Sequence, residues 1–164
     1  MEYTAAVITV SDRGSKGLSE DTSGPNLKKI LEENDWNVIY TNIVPDEIED
    51  ISNELIHCSD DLDVCLVLTT GGTGFSKRDI TPEATRKVIE KETPGIPEAM
   101  RAESIRITPH GCLSREAAGI RNNTLIVNLP GSKKASQECL EAVIKALKHG
   151  IDILRAEGSV DCGR

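Results

Sequence analysis

In "VLTTGGTGFSKRDITPEA", from Val67 to Ala84, a glycine-rich turn stands between an apolar run and a helix start. Successive backbone N–H groups of Gly71, Gly72, Thr73 and Gly74 can line an anion-binding concavity, and Lys77 and Arg78 add local positive charge, which together suit phosphate. Asp79 sharpens the question. A carboxylate beside an anion site repels the ligand unless a cation lies between them, and Mg²⁺ is the cation that accompanies phosphates. The same residue could instead cap a turn or pair with Arg78, and spacing alone leaves the two readings level. Asp46, in "VPDE", poses the same choice at a helix start, where complementing the helix dipole is the simpler reading unless Asp46 converges with Asp79.

Familiar nucleotide motifs do not account for the turn. Ser76 stands where a Walker A loop needs its second glycine, Arg78 follows Lys77 in place of Ser or Thr, and Lys77 occupies the third glycine position of G-x-G-x-x-G. Nor is there a signal for a nucleophile and its base. His57, His110 and His149 fall on a helix, in a loop and in the last helix without a partner residue, and read as structural or surface groups.

The elements that must position these residues follow from periodicity. "AAVITV", "WNVIYTNIV", "DVCLVLTT" and "TLIVNL" are short, β-branched and nearly continuous in apolar character, as in strands covered on both faces. Helical spacing links Leu27, Ile30 and Leu31; Ile48, Ile51 and Leu55; Ala84, Val88 and the nearby Ile89; and Leu140 through Leu154, with a further helix over Gly95 to Thr108. "AAGIR-NN-TLIVNL" reads as a hairpin turning at Asn122-Asn123 through positive φ angles. The expectation is an α/β three-layer sandwich with a mostly parallel sheet and one antiparallel edge hairpin. "SDRGSKGLSEDTSGP", "VPDE", "TTGGTGFSKRDITPEA" and "NLPGSKK" then all lie at carboxyl ends of strands, where open α/β sheets bind ligands. Pro25 after Ser23-Gly24, Thr81 as an N-cap before Pro82, and Ser132 ahead of the last helix mark helix entries at three of these joints.

Composition narrows the class. A chain of 164 residues with 38% hydrophobic content suits one domain, taken as 1–156, with "EGSVDCGR" at 157–164 as a loose tail. A formal charge of −8 argues against nucleic acid or anionic membrane as partners, and the longest apolar run, "VCLVL", is far short of a membrane span. Five cysteines, scattered and never spaced C-x-x-C, suggest neither disulfides nor zinc, and lead to the expectation of a reducing, cytoplasmic setting.

"VITVSDRGSKG", "VPDE", "TTGGTGFSKRDITPEA", "TPHGCLSREAAGIR" and "TLIVNLPGSKKASQECLEAV" together resemble the MogA/MoaB family of molybdenum-cofactor biosynthesis, which includes the G domain of gephyrin, from about Thr4 to about Leu154. The resemblance implies a trimer with a molybdopterin-binding fold that uses Mg²⁺, ATP and molybdopterin to make adenylylated molybdopterin and pyrophosphate, in transient contact with other molybdenum-cofactor enzymes. It assigns Gly71, Gly72, Thr73 and Gly74, with Lys77 and Arg78, to the nucleotide and its phosphates, and matches Asp46 and Asp79 to the family's essential aspartates, holding Mg²⁺. Ser11 and Asp12 match its first-strand loop, Ser104 and Ser114 its serines near the pterin, and Pro130, Gly131 and Ser132 a further substrate loop whose lysines, Lys133 and Lys134, attract polyphosphate. Arg115 reads equally as a phosphate ligand or as the partner of a neighbouring carboxylate, and Trp36 as a packing or interface residue. Asn123 and the polar "AVIKALKHG" depart from the commoner family forms, outside the proposed metal site. Two alternatives stay open: a MoaB-like trimer that binds molybdopterin without efficient adenylylation, and a nucleotide-binding oxidoreductase, which lacks its glycine fingerprint.

Overall fold

The computed structural model describes residues 1–156; the tail expected at 157–164 lies outside the described residues. β1 (Thr4–Val10), β2 (Asn37–Val44), β3 (Leu66–Thr70) and β6 (Thr124–Leu129) run parallel, and β5 (Ala118–Arg121) and β4 (Lys91–Glu92) extend the sheet in antiparallel pairings, in the order β2-β1-β3-β6-β5-β4. The expected hairpin is β5–β6, turning at Asn122, which alone of the two asparagines takes a positive φ, of 49°. β4 lies outside it as the true edge, a strand of two residues too short to announce itself by alternation.

Alternation along β1 divides the core. Ala5 and Val7 face one layer, packing with Leu27, Leu31, Met100, Leu140 and Leu147. These come from α2 (Ser23–Glu33), α5 (Gly95–Ile107) and α6 (Lys133–Arg155). Ala6, Ile8 and Val10 face the other, against Ile51 and Leu55 of α3 (Ile48–Ile56) and Ala84 and Val88 of α4 (Thr81–Val88). Burying a side chain such as Leu140 or Ile51 completely stabilises the fold by about 1.5–3 kcal/mol, so the two helical layers and the sheet hold one another.

β2 departs from expectation. It is an outer strand, and Ile39 and Ile43 are 48% and 36% exposed, so its apolar residues do not mark cover on both faces. Trp36, just ahead of it, is buried against Tyr3 at a ring separation of 5.3 Å, which bears out its packing role. A short helical turn α1 (Asp12–Ser15) follows β1, and no helix among the described residues is long and apolar enough to cross a membrane.

Candidate active site

The carboxyl ends of β1, β2, β3 and β6 bring the four joints to one rim. A cleft of about 340 Å³ opens there, lined by Ser11, Asp46, Gly71, Gly72, Asp79 and Gly131 among others. Its floor needs glycine: Gly71 and Gly72 take φ of 106° and 68°, and a Cβ on them would lie 2.3 Å from the Val10 carbonyl and from the Thr81 hydroxyl. A Cβ on Gly131 would stand 3.3 Å from the Cα of Gly71, so the two loops pack backbone against backbone. The Gly71 N–H donates to the Leu129 carbonyl at 3.1 Å and is not available to a ligand. Those of Gly72, Thr73 and Gly74 have no protein acceptor among the described residues.

Asp46 and Asp79 converge on this cleft, as the phosphate reading required. Asp46 interlocks with Asp12: its Oδ2 accepts from the Asp12 N–H at 2.9 Å, and its own N–H donates to Asp12 Oδ1 at 3.0 Å. Oδ1 of Asp46 is left facing Gly72. Burial pushes the Asp46 carboxyl above the ordinary carboxylate range, and the nearby charges of Asp12 and Asp79 add to the push. Asp79 accepts from the Ser76 N–H at 3.0 Å through Oδ2, so it does cap its turn. It does not pair with Arg78. That guanidinium forks onto both oxygens of Asp12, at 3.0 and 2.9 Å, and onto Glu47 at 2.8 Å, and its hydrogen bonds hold the Asp12 carboxyl below its usual range. Arg78 thus ties the glycine turn to the joints after β1 and β2, while Lys77 is exposed beside a neighbouring hollow shared with Asp46 and Glu47.

Two carboxylates, each anchored through one oxygen by a backbone N–H, with like charge beside a row of free N–H groups, form a donor set that suits a magnesium ion shared with substrate phosphates. No cluster of three or more His, Cys, Asp or Glu side chains that could enclose a metal occurs among the described residues. The four described cysteines are free thiols, consistent with the absence of a disulfide framework.

The remaining expected residues divide. Ser11 caps α1 by accepting from the Gly14 N–H at 2.9 Å, and Ser132 caps α6 by accepting from the Ala135 N–H at 3.1 Å. The carbonyls of Pro130 and Gly131 accept from the hydroxyls of Thr70 and Ser23, each at 2.7 Å, which fixes the loop between β6 and α6 on the rim. Ser104 and Ser114 do not line the cleft. Ser104 meets the Cys139 thiol at 3.4 Å, and the buried Ser114 hydroxyl lies near the Glu116 carboxyl without the geometry of a hydrogen bond. Glu116 is 1% exposed, and burial raises its pKa despite Arg101 at 3.9 Å. His57 finds Asp61 at 2.8 Å in the turn after α3; none of the three histidines lines the cleft. Thr81 is no cap: Ile80 holds that position, and the Thr81 hydroxyl is buried without a partner beneath Gly72.

Two residues that position the site were not singled out in the sequence, and a third, Arg115, was left between two readings. Asp21 accepts from the Thr9 hydroxyl at 2.7 Å and the Gly24 N–H at 3.0 Å, fixing the entry to α2; its signal was a carboxylate three residues ahead of Gly24. Asn128, fully buried, donates to the hydroxyls of Thr69 and Thr85, both at 2.9 Å, and accepts from the Ala117 N–H at 3.1 Å; its signal was one amide in an apolar strand. Arg115 donates to the carbonyls of Gly74 and Asp79, each at 2.8 Å, and pairs with Glu83, which resolves its two readings in favour of a neighbouring carboxylate.

The chain is similar to known proteins over most of its length. The model of a family described as "Probable molybdopterin binding domain" matches residues 6–149. A molybdopterin adenylyltransferase of Helicobacter pylori is 48% identical over 150 residues, covering 90% of this chain and 85% of that protein. The molybdenum cofactor synthesis protein cinnamon of Drosophila melanogaster is 44% identical over 92% of this chain, which spans 25% of it. The crystal structure of the molybdopterin biosynthesis enzyme MoaB from Thermus thermophilus superposes with a TM-score of 0.90 at 41% identity, covering 94% of this chain and 98% of that one.

Proposed function

The chain belongs to the probable molybdopterin binding domain family, and we propose from that premise that it is an enzyme transferring AMP from ATP to the terminal phosphate of molybdopterin, with release of pyrophosphate. The observation that carries this reading is the convergence of Asp46 and Asp79 on the cleft floored by Gly71 and Gly72. The molybdopterin phosphate is already an anionic oxygen, so its attack on the α-phosphorus of ATP requires no protein base; the bond to the β-phosphate breaks and pyrophosphate departs with the electron pair. That chemistry accords with a cleft that holds no histidine.

The protein's task is then to hold and neutralise. The free N–H groups of Gly72, Thr73 and Gly74 cradle the nucleotide phosphates, and Lys77 adds charge from the loop tip. Asp46 and Asp79 would hold Mg²⁺, which when bound neutralises the polyphosphate and polarises its phosphoryl oxygens. Asp12, Arg78 and the caps at Ser11 and Ser132 keep the loops in register, and Gly131 forms the rim beside the pterin. Ser104 and Ser114, one turned to the Cys139 thiol and the other buried at its hydroxyl, enter the proposal as supports of the elements around the pterin site and not through hydroxyl contacts with the pterin. A homotrimer in a reducing cytoplasm, meeting other molybdenum-cofactor enzymes in passing, completes the proposal; the exposed Ile105, Ile107 and Leu113 support self-association.

Incubation of the purified protein with molybdopterin, ATP and Mg²⁺ tests the reading. Adenylylated molybdopterin and pyrophosphate are the expected products. Tight pterin binding without either product would identify a MoaB-like binder instead.

A further inference from the structure

We infer that Arg115 is a positioning residue of this reaction, acting on the metal site through Asp79 although it lies behind the cleft. The inference rests on the adenylyl-transfer reading above. The backbone N–H, Nε and Nη2 of Arg115 all donate into the segment from Thr73 to Asp79, and Nη1 reaches just past it. Its N–H donates to the Thr73 carbonyl at 2.9 Å, Nε to the Gly74 carbonyl at 2.8 Å and Nη2 to the Asp79 carbonyl at 2.8 Å, and Nη1 pairs with Glu83 in the first turn of α4.

Those three carbonyls flank the exposed stretch from Phe75 to Arg78, at the end of the glycine turn and at Asp79 itself. The C=O of a trans peptide and the N–H of the next residue point opposite ways, so the Thr73 carbonyl held by the Arg115 N–H turns the Gly74 N–H away from Arg115; that N–H has no protein acceptor among the described residues, and Oδ2 of Asp79 stays on the Ser76 N–H. The grip matters because, among the described residues, the other holds from outside this exposed loop stop short of Asp79: Arg78 reaches Asp12 and Glu47, and the Thr81 N–H donates to the Gly72 carbonyl, while only Arg115 bonds the Asp79 backbone from outside the loop. A Cβ on Gly74 would come within 2.9 Å of Asp79 Oδ2, so the loop and its carboxylate are already close, and a small shift in one moves the other. A guanidinium can serve two carbonyls and a carboxylate at once because its N–H groups form a rigid planar fork; an ammonium of similar length cannot.

Mn²⁺, which occupies magnesium sites and is visible by electron paramagnetic resonance, gives a readout separate from turnover. Mn²⁺ affinity in the presence of ATP is measured for the natural protein, Arg115→Lys, Glu83→Gln and Asp79→Asn, alongside the affinity for molybdopterin. Loss of a group that orients a metal ligand lowers metal affinity by roughly 10- to 100-fold, and Arg115→Lys is expected to show such a drop, Glu83→Gln a smaller one, both with pterin affinity within about twofold of normal. If Arg115→Lys does not fold, Glu83→Gln carries the same comparison. Unchanged Mn²⁺ affinity in the folded variants, with Asp79→Asn impaired, overturns the role of Arg115 alone. Absence of ATP-dependent Mn²⁺ binding in the natural protein overturns the metal reading on which it rests. A parallel loss of pterin and Mn²⁺ affinity would mark Arg115 as a general scaffold residue and would also overturn the inference.

Discussion

Asp79 fills two roles with one side chain, since Oδ2 caps the turn at Ser76 while the carboxylate lines the cleft opposite Asp46. Spacing left cap and ligand level; the geometry shows the cap, and the ligand role that we propose falls to the other oxygen, Oδ1. Glu116 shows the opposite economy. Its carboxyl is buried among Ser114, Cys139 and Arg101, with Oε2 lacking any hydrogen bond, and burial raises its pKa above the ordinary 4.5. A carboxyl whose folded pKa is raised leaves stability intact below 4.5 and removes it progressively as pH climbs through the folded value. Glu116→Gln lacks that titration. Its thermal midpoint should therefore exceed that of the natural protein by more at pH ~8 than at pH ~4.5; an equal difference at both would show that Glu116 does not carry the penalty.

At the scale of elements, the site is made by four joints whose placement depends on the parallel sheet, and that much was legible because apolar strands and 3.6-residue helices alternate along the chain. What periodicity could not convey was pairing across the sheet. The apolar run of β2 reads like an interior strand, yet nothing in the run itself reveals that no strand follows it at the edge. The partners of Arg78 and Arg115 lie 66 residues away at Asp12 and 32 away at Glu83, so no local spacing could reveal which carboxylate each would find. Asn128 belongs to this scale as well, tying β6 to β3, to α4 and to the segment entering β5. Asn128→Ala leaves a buried N–H and two hydroxyls without their partner, and chemical denaturation should show a loss of roughly 2–4 kcal/mol. A loss below about 1 kcal/mol would mean that the hydroxyls and the Ala117 N–H find other partners and that the network is dispensable.

The whole molecule adds what one chain cannot show by itself. Ile105, Ile107 and Leu113 leave apolar surface at the end of α5 and the turn after it, in a chain whose net charge of −8 otherwise favours solvation. Light scattering at micromolar concentration should report three chains of 17.8 kDa; a stable monomer or dimer would contradict the trimer. The central claim is that loops from four strands bring two aspartates to one magnesium ion against the phosphates of ATP. Single-turnover adenylylation of molybdopterin by Asp79→Asn and by Asp46→Asn, at saturating Mg²⁺, tests it most directly, because each change keeps the shape of the side chain and removes its charge. The account predicts a fall of roughly a hundred- to a thousandfold in each, about 3 to 4 kcal/mol of transition-state stabilisation, with molybdopterin affinity largely retained. Near-normal rates in both variants would contradict it, and would leave Asp46 and Asp79 as a helix residue and a turn cap that happen to share a cleft.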